Sequence, residues 1–176
     1  MPGKGKIHMK SNITLIGMPG AGKSTVGIIL AKVLSYGFID TDVLIQSRLQ
    51  KSLQKIMDES GYLNLRRIES SEILRINVEN HVIATGGSAV YSHDAMMHLQ
   101  DISTVVFLKV DDQTLEKRIN NFDERGIAKA DGQSFRELFD ERRCLYERYA
   151  RITIEAGDPG QDEIAERIAL KFNKNH

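Results

Sequence analysis

Cysteine is the scarcest informative residue: Cys144 is the only one, which excludes an internal disulfide and a cysteine-built zinc cluster and fits a reducing compartment. Charge of one sign is not in excess either. Lys+Arg and Asp+Glu number 24 each, so no global field favours nucleic acid or an anionic membrane, and any anion site must be built locally. Long apolar runs are missing. The longest, such as Val26 to Leu30 and Val105 to Leu108, fall far short of a bilayer span, and no signal-peptide core is legible near the N-terminus. A soluble, cytosolic protein with no nucleic-acid or membrane partner is the expectation. The histidines His8, His81, His93, His98 and His176 offer no pair at ligand spacing beside a carboxylate, which argues against a protein-held transition metal. Internal repeats and low-complexity tracts are absent. The 176 residues, 41% hydrophobic and 27% charged, suffice for one compact domain with a core. Met1 to Lys10, with three lysines and no acid, reads as a mobile tail, leaving 11–176 as that domain.

What is present is a phosphate loop. Gly17-Met18-Pro19-Gly20-Ala21-Gly22-Lys23-Ser24-Thr25 satisfies G-x-x-x-x-G-K-[ST] and follows the apolar run Ile13 to Ile16. Glycines let backbone N–H groups turn toward phosphate oxygens, and the following helix aims its positive N-terminal end at the same place. Lys23 is placed to reach the β- and γ-phosphates, and Ser24 to offer its hydroxyl to Mg²⁺. A chance match in a chain of this length has a probability on the order of one per cent, so a mere glycine turn is the weaker explanation.

The hydrophobic pattern alternates between strand and helix periods. Strands are expected at Asn12 to Ile16, Phe38-Ile39 (short and buried), His81 to Ala84, Thr104 to Val110 and Ile152 to Glu155. Helices are expected at Lys23 to Leu34, with Val26, Ile29, Leu30 and Val33 on one face, then about Thr41 to Gln50, Leu53 to Glu59 and, after a Gly61 break, Leu63 to Val78. Further helices follow at Ser92 to Leu99 with Ser92 as N-cap, Asp111 to Asn120, Ser134 to Tyr149 and Asp162 to Phe172. Residues 121–132 are polar and glycine-punctuated. Each parallel return needs a right-handed crossover, so this order implies a five-stranded parallel sheet with helices on both faces, a three-layer α/β/α domain. Ligands in such sheets bind beyond the carboxyl ends of the strands, which gathers Gly17 to Lys23, Asp40 to Asp42 and Gly86-Gly87 in one place.

Asp40 and Asp42 stand two apart at a strand end. If the strand persists, both carboxylates face the phosphate loop, one for a Mg²⁺-bound water and one to accept a proton from an attacking hydroxyl; helix capping is the competing explanation. Arg66 and Glu69, three apart on a helix, read as a modest surface ion pair. Arg142 and Arg143 lie in a charged helix and are solvated by default. Arg118 and Arg125 flank or occupy the polar stretch, where an arginine-bearing mobile segment suits closure over a phosphoryl group, and an ordinary surface loop is the alternative.

The order and spacing of these residues resemble the shikimate kinase family, P-loop small-molecule kinases with a nucleoside monophosphate kinase-like fold. The likeness runs from Asn12 to about Phe172. It includes Gly17 to Thr25, Phe38 to Asp42, Leu65-Arg66-Arg67-Ile68-Glu69 in place of F-R-x-x-E, Val82 to Gly87, and Glu141 to Tyr146, similar to E-R-x-P-x-Y. The resemblance implies ATP-dependent phosphorylation of the 3-hydroxyl of shikimate, a step toward chorismate and the aromatic amino acids, by a monomer using Mg²⁺. It implies that Asp42 holds and deprotonates the acceptor, that Asp40 meets the Mg²⁺ water shell, and that Arg66 and Arg142 grip the carboxylate. Backbone at Gly86 and Gly87 is to approach the ring, and Gly20, Ala21, Gly22, Lys23, Ser24, Thr25, Arg118 and Arg125 are to bind ATP. Lys23 and Arg125 are to neutralise the phosphoryl group, with Arg118 against the adenine. A small substrate-binding subdomain at about 41–78 and a mobile lid at about 121–132 are also implied. The chain departs from the family pattern at Tyr62, Leu65, Ser88, Gly126 and Cys144. At Ser88 a third glycine is usual, and a Cβ is costly if that backbone needs positive φ. A related kinase for another small hydroxy acid and a non-catalytic nucleotide-binding module are the alternatives; Asp42 argues against the second.

Overall fold

The computed structural model describes residues 10–119 and 127–174. β1 (Asn12–Ile16) is buried along its whole length because strands flank it on both sides. The sheet is five-stranded and parallel in the order β2-β3-β1-β4-β5, with β2 at Gly37–Asp40, β3 at His81–Ala84, β4 at Ser103–Lys109 and β5 at Ile152–Glu155. As an edge strand β2 is half-buried, where the sequence suggested a fully buried one.

The crossover from β1 to β2 runs opposite to all later ones. With every crossover right-handed, α1 (Lys23–Leu34) therefore lies on one face, where α8 (Gln161–Lys174) packs against it, and the helices between β2 and β5 lie on the other. These are α2 (Thr41–Leu49), α3 (Leu53–Ser60), α4 (Tyr62–Leu74), α5 (His93–Ile102), α6 (Asp112–Arg118) and α7 (Phe135–Tyr149), with a 3₁₀ turn at Ala89–Tyr91. Ser92 caps α5, accepting the Ala95 N–H. Ser134 and Glu137 close a reciprocal capping box on α7.

Two departures from the helical pattern have simple causes. The buried arc of α1 is built by Val26, Gly27, Leu30 and Ala31, so Val33, on its flank, is 52% exposed. α4 stops at Leu74 rather than Val78, and Ile76 is buried from the loop that follows. One core fills the space between sheet and helices; α2, α3 and α4 form a second, small cluster of Ile45, Ile56 and Leu65 together with Ala128. At the amino end of the sheet, buried Asn12 donates to Val78 and Ile102 carbonyls at 2.6 and 3.0 Å and accepts the His81 N–H at 2.9 Å, tying the starts of β1, β3 and β4 together. That leaves the carboxyl ends free for loops. No helix among the described residues is long and apolar enough to cross a membrane.

Candidate active site

The loop after β1 is shaped by glycine. Gly20 and Gly22 sit at φ +82° and +93°, and Gly22 heads α1 without a capping side chain or an acid in the first turn, so the helix presents open N–H groups and an uncompensated positive end. Lys23, 8% exposed, bends back to donate to the carbonyls of Gly17 at 2.7 Å and Met18 at 2.9 Å. Burial pulls its ammonium down to about 8 against the opposing attraction of Asp42. The Ser24 hydroxyl donates to Asp40 Oδ2 at 2.5 Å.

The capping explanation holds for Asp40. The strand ends at Asp40, whose Oδ1 caps α2 by accepting the N–H groups of Asp42 and Val43 at 3.0 and 3.2 Å while Oδ2 takes Ser24. Asp42 is therefore aimed by the first turn of α2, not by strand alternation. Burial, then the neighbouring Asp40, pushes its carboxyl up to about 6, with Lys23 opposing.

The loop after β3 is held against these groups. Buried Thr41 accepts the Gly86 N–H at 3.0 Å, and Tyr146 donates to the Gly87 carbonyl at 2.7 Å. A Cβ on Gly86 would lie 2.3 Å from Glu69 Oε1 and 2.6 Å from Asp42 Oδ1, and one on Gly87 would lie 2.7 Å from Arg142 Nη1. A side chain at either place would displace the charged groups of the site. Ser88, by contrast, has φ −95°, an ordinary conformation that carries no strain, and its hydroxyl donates to Glu69.

Glu69 is not the surface ion-pair partner that its spacing from Arg66 suggests. It forms no ion pair with Arg66; it is 3% exposed, its Oε1 has no partner among the described residues, and burial followed by repulsion from Asp42 drives its carboxyl up to about 7. Arg142 corrects the default of a solvated arginine. It is 1% exposed and donates to the Ala128 carbonyl at 2.6 Å. Arg66 donates to the same carbonyl at 3.2 Å, with its guanidinium 3.6 Å above the Tyr91 ring.

A cavity of about 440 Å³ unites these features, walled by Lys23, Asp42, Glu69, Gly86, Gly87 and Arg142. Gly20, Gly22, Ser24, Thr25 and Arg118 line it as well. Arg118, in the last turn of α6, also donates to the Gly157 carbonyl at 2.6 Å. Ala21 is packed beneath the loop, Asp40 is reached through Ser24, and Arg66 lines the adjoining groove with Tyr91. Arg125, Gly126 and the first half of the lid segment, residues 121–126, lie outside the described residues. Among the described residues no cluster of three or more His, Cys, Asp or Glu could hold a metal, so a cation here would take oxygen ligands chiefly from phosphate and water.

Comparison with known proteins follows the same residues. The family model for shikimate kinase matches residues 19–173. A shikimate kinase of Caldanaerobacter subterraneus is 31% identical over 166 residues, covering 93% of this chain and 96% of that protein. Another, from a Sulfurihydrogenibium species, is 34% identical over 164 residues, covering 93% and 98%. The crystallised shikimate kinase of Acinetobacter baumannii, in complex with shikimate, superposes with a TM-score of 0.87 at 28% identity, covering 94% of each chain. With a phosphate loop, a buried carboxylate and a buried guanidinium around one cavity and a family match across nearly its whole length, the chain belongs to the shikimate kinase family.

Proposed function

We propose that the protein transfers the γ-phosphoryl group of ATP to the 3-hydroxyl of shikimate, giving shikimate 3-phosphate and ADP. The observation that carries this reading is the convergence of Lys23, Asp42 and buried Arg142 on one cavity, because a hydroxy-acid kinase needs a phosphate anchor, a base and a carboxylate grip. Open N–H groups of the phosphate loop and Thr25 cradle the triphosphate, with Arg118 against the adenine. Lys23 exchanges its two carbonyl partners for phosphate oxygens and neutralises charge as it develops.

At the acceptor end, Arg142 and Arg66 bind the carboxylate, and the backbone at Gly86 and Gly87 lies against the ring. Asp42 takes the proton of the attacking hydroxyl. A carboxyl held near 6 is ionised at neutral pH yet basic enough to receive that proton. The Ser24 hydroxyl and Asp40 carboxylate form a hard-oxygen pair beside the loop, a set that fits Mg²⁺ held mainly by phosphate and water, with Asp40 acting through a water. When bound there, Mg²⁺ would offset the negative charge of the phosphates. Arg125, in the proposed lid, supplies a further positive charge. We take the protein to act as a monomer, and exposed Cys144, in no disulfide, supports a cytoplasmic setting.

The test is ADP release with Mg-ATP and shikimate, quinate, gluconate or no acceptor. Release that depends on shikimate is expected. Release only with another acid, or equal release without any acceptor, overturns the assignment.

A further inference from the structure

The two arginines assigned to the acceptor carboxylate share a neighbour outside every motif that identified the site. Tyr91 ends the 3₁₀ turn that follows Gly86-Gly87-Ser88. Its ring centroid is 3.6 Å from Arg66 Cζ and 5.4 Å from Arg142 Cζ, and Arg142 Nε donates to its hydroxyl at 3.4 Å. That hydroxyl in turn donates to Glu141, while the Tyr62 ring stands 5.0 Å from Arg66 Cζ.

Two guanidinium groups this near one another repel, and Arg66 is long, half-buried and without an ion-pair partner among the described residues. Holding both in place before an anion arrives requires negative potential close by. The face of Tyr91 supplies it to both arginines, and its hydroxyl links Arg142 to the carboxylate of Glu141, which is otherwise exposed to solvent screening. Burial and the Glu141 bond raise the phenol's pKa, so at neutral pH it remains a donor. A guanidinium already ordered on an aromatic face loses less freedom on binding.

We infer that Tyr91 is a positioning residue for carboxylate recognition, a shared platform that orders Arg66 and Arg142 for the acceptor. This rests on the reading above in which the acceptor is a carboxylate. Because Tyr91 does not line the cavity that holds Lys23 and Ser24, its loss is felt in acceptor KM rather than in kcat or ATP KM.

The experiment compares Tyr91→Leu, which removes face and hydroxyl, with Tyr91→Phe, which keeps the face. Shikimate KM should rise about tenfold in the first and about two- to threefold in the second, with kcat and ATP KM within about twofold of the parent. In an Arg66→Ala background Tyr91→Leu should raise KM less than about threefold further, because most of its effect passes through Arg66. An unchanged shikimate KM, a uniform fall in kcat, or full additivity with Arg66→Ala overturns the inference. If Tyr91→Leu does not fold, Tyr91→Phe decides alone: a KM equal to the parent's overturns it. If the parent enzyme phosphorylates a different acid from the panel, the substrate assignment fails and the same variants are read with that acid.

Discussion

Replacing the proposed base should make the protein more stable. In the native state burial lifts the Asp42 carboxyl from 3.8 to about 6, and at about 1.4 kcal/mol per tenfold this costs the fold about 3 kcal/mol once the group is ionised. Below about pH 4 both folded and unfolded chains are protonated and there is no penalty. Between about pH 4 and 6 the unfolded chain releases the proton that the folded chain retains, so stability falls as pH rises; above about 6 the penalty is complete. Asp42→Asn keeps the shape and abolishes the charge. The attraction of the Lys23 ammonium is already contained in the value near 6, so the expected gain is about 1–3 kcal/mol at pH 8. For a chain of this size that is an increase of about 2–10 °C in Tm. Turnover should fall about 10²–10⁴-fold in the same variant. Urea titrations of both proteins at pH 4.5 and pH 8, beside kcat, make the assay. A gain of equal size at both pH values, or a loss at pH 8, refutes the argument that a buried charge at Asp42 is maintained at the expense of stability.

Lys23→Ala should collapse turnover by at least about 10²-fold while circular dichroism reports an intact fold, because transition-state charge stabilisation is lost. Near-normal ADP formation would remove Lys23 from the mechanism. Gly86→Ala forces a methyl group between Glu69 Oε1 and Asp42 Oδ1, whose side chains can yield, so Tm should barely move while kcat/KM drops about 10²-fold. Arg66→Ala should weaken shikimate binding by about 2–5 kcal/mol in calorimetry; unaltered affinity would take Arg66 out of the grip. Arg125→Ala should lower kcat and leave Mg-ATP binding largely intact, and an unaltered kcat would assign that charge stabilisation elsewhere.

The strands and α1 were legible because short Val- and Ile-rich runs bounded by glycine, Asp or Ser have few alternatives, and β1, β3 and β5 begin and end where the pattern says. The phosphate loop was legible because its chemistry is local in sequence. Glu69 and Arg142 were not, since a charged residue in a helix reads as solvated until the partner surface is known; here the turn at Ala89–Tyr91 and the Gly86-Gly87 loop bury both. Ser88 misled for the opposite reason: a missing glycine suggested strain, but the backbone is right-handed and its hydroxyl serves Glu69. Tyr91 carried no motif, and only the fold reveals two arginines at one ring. The S-x-x-E spacing of Ser134 and Glu137 was a readable start signal for α7.

The central claim is that this cavity delivers a phosphoryl group to one hydroxyl of shikimate. It is tested most directly by incubating the protein with Mg-ATP and shikimate and examining the product by phosphorus and proton NMR. The account predicts one monophosphate ester, coupled to the proton at C3 and formed in step with ADP. Phosphate at another carbon, or ADP accumulating with shikimate unchanged, contradicts it.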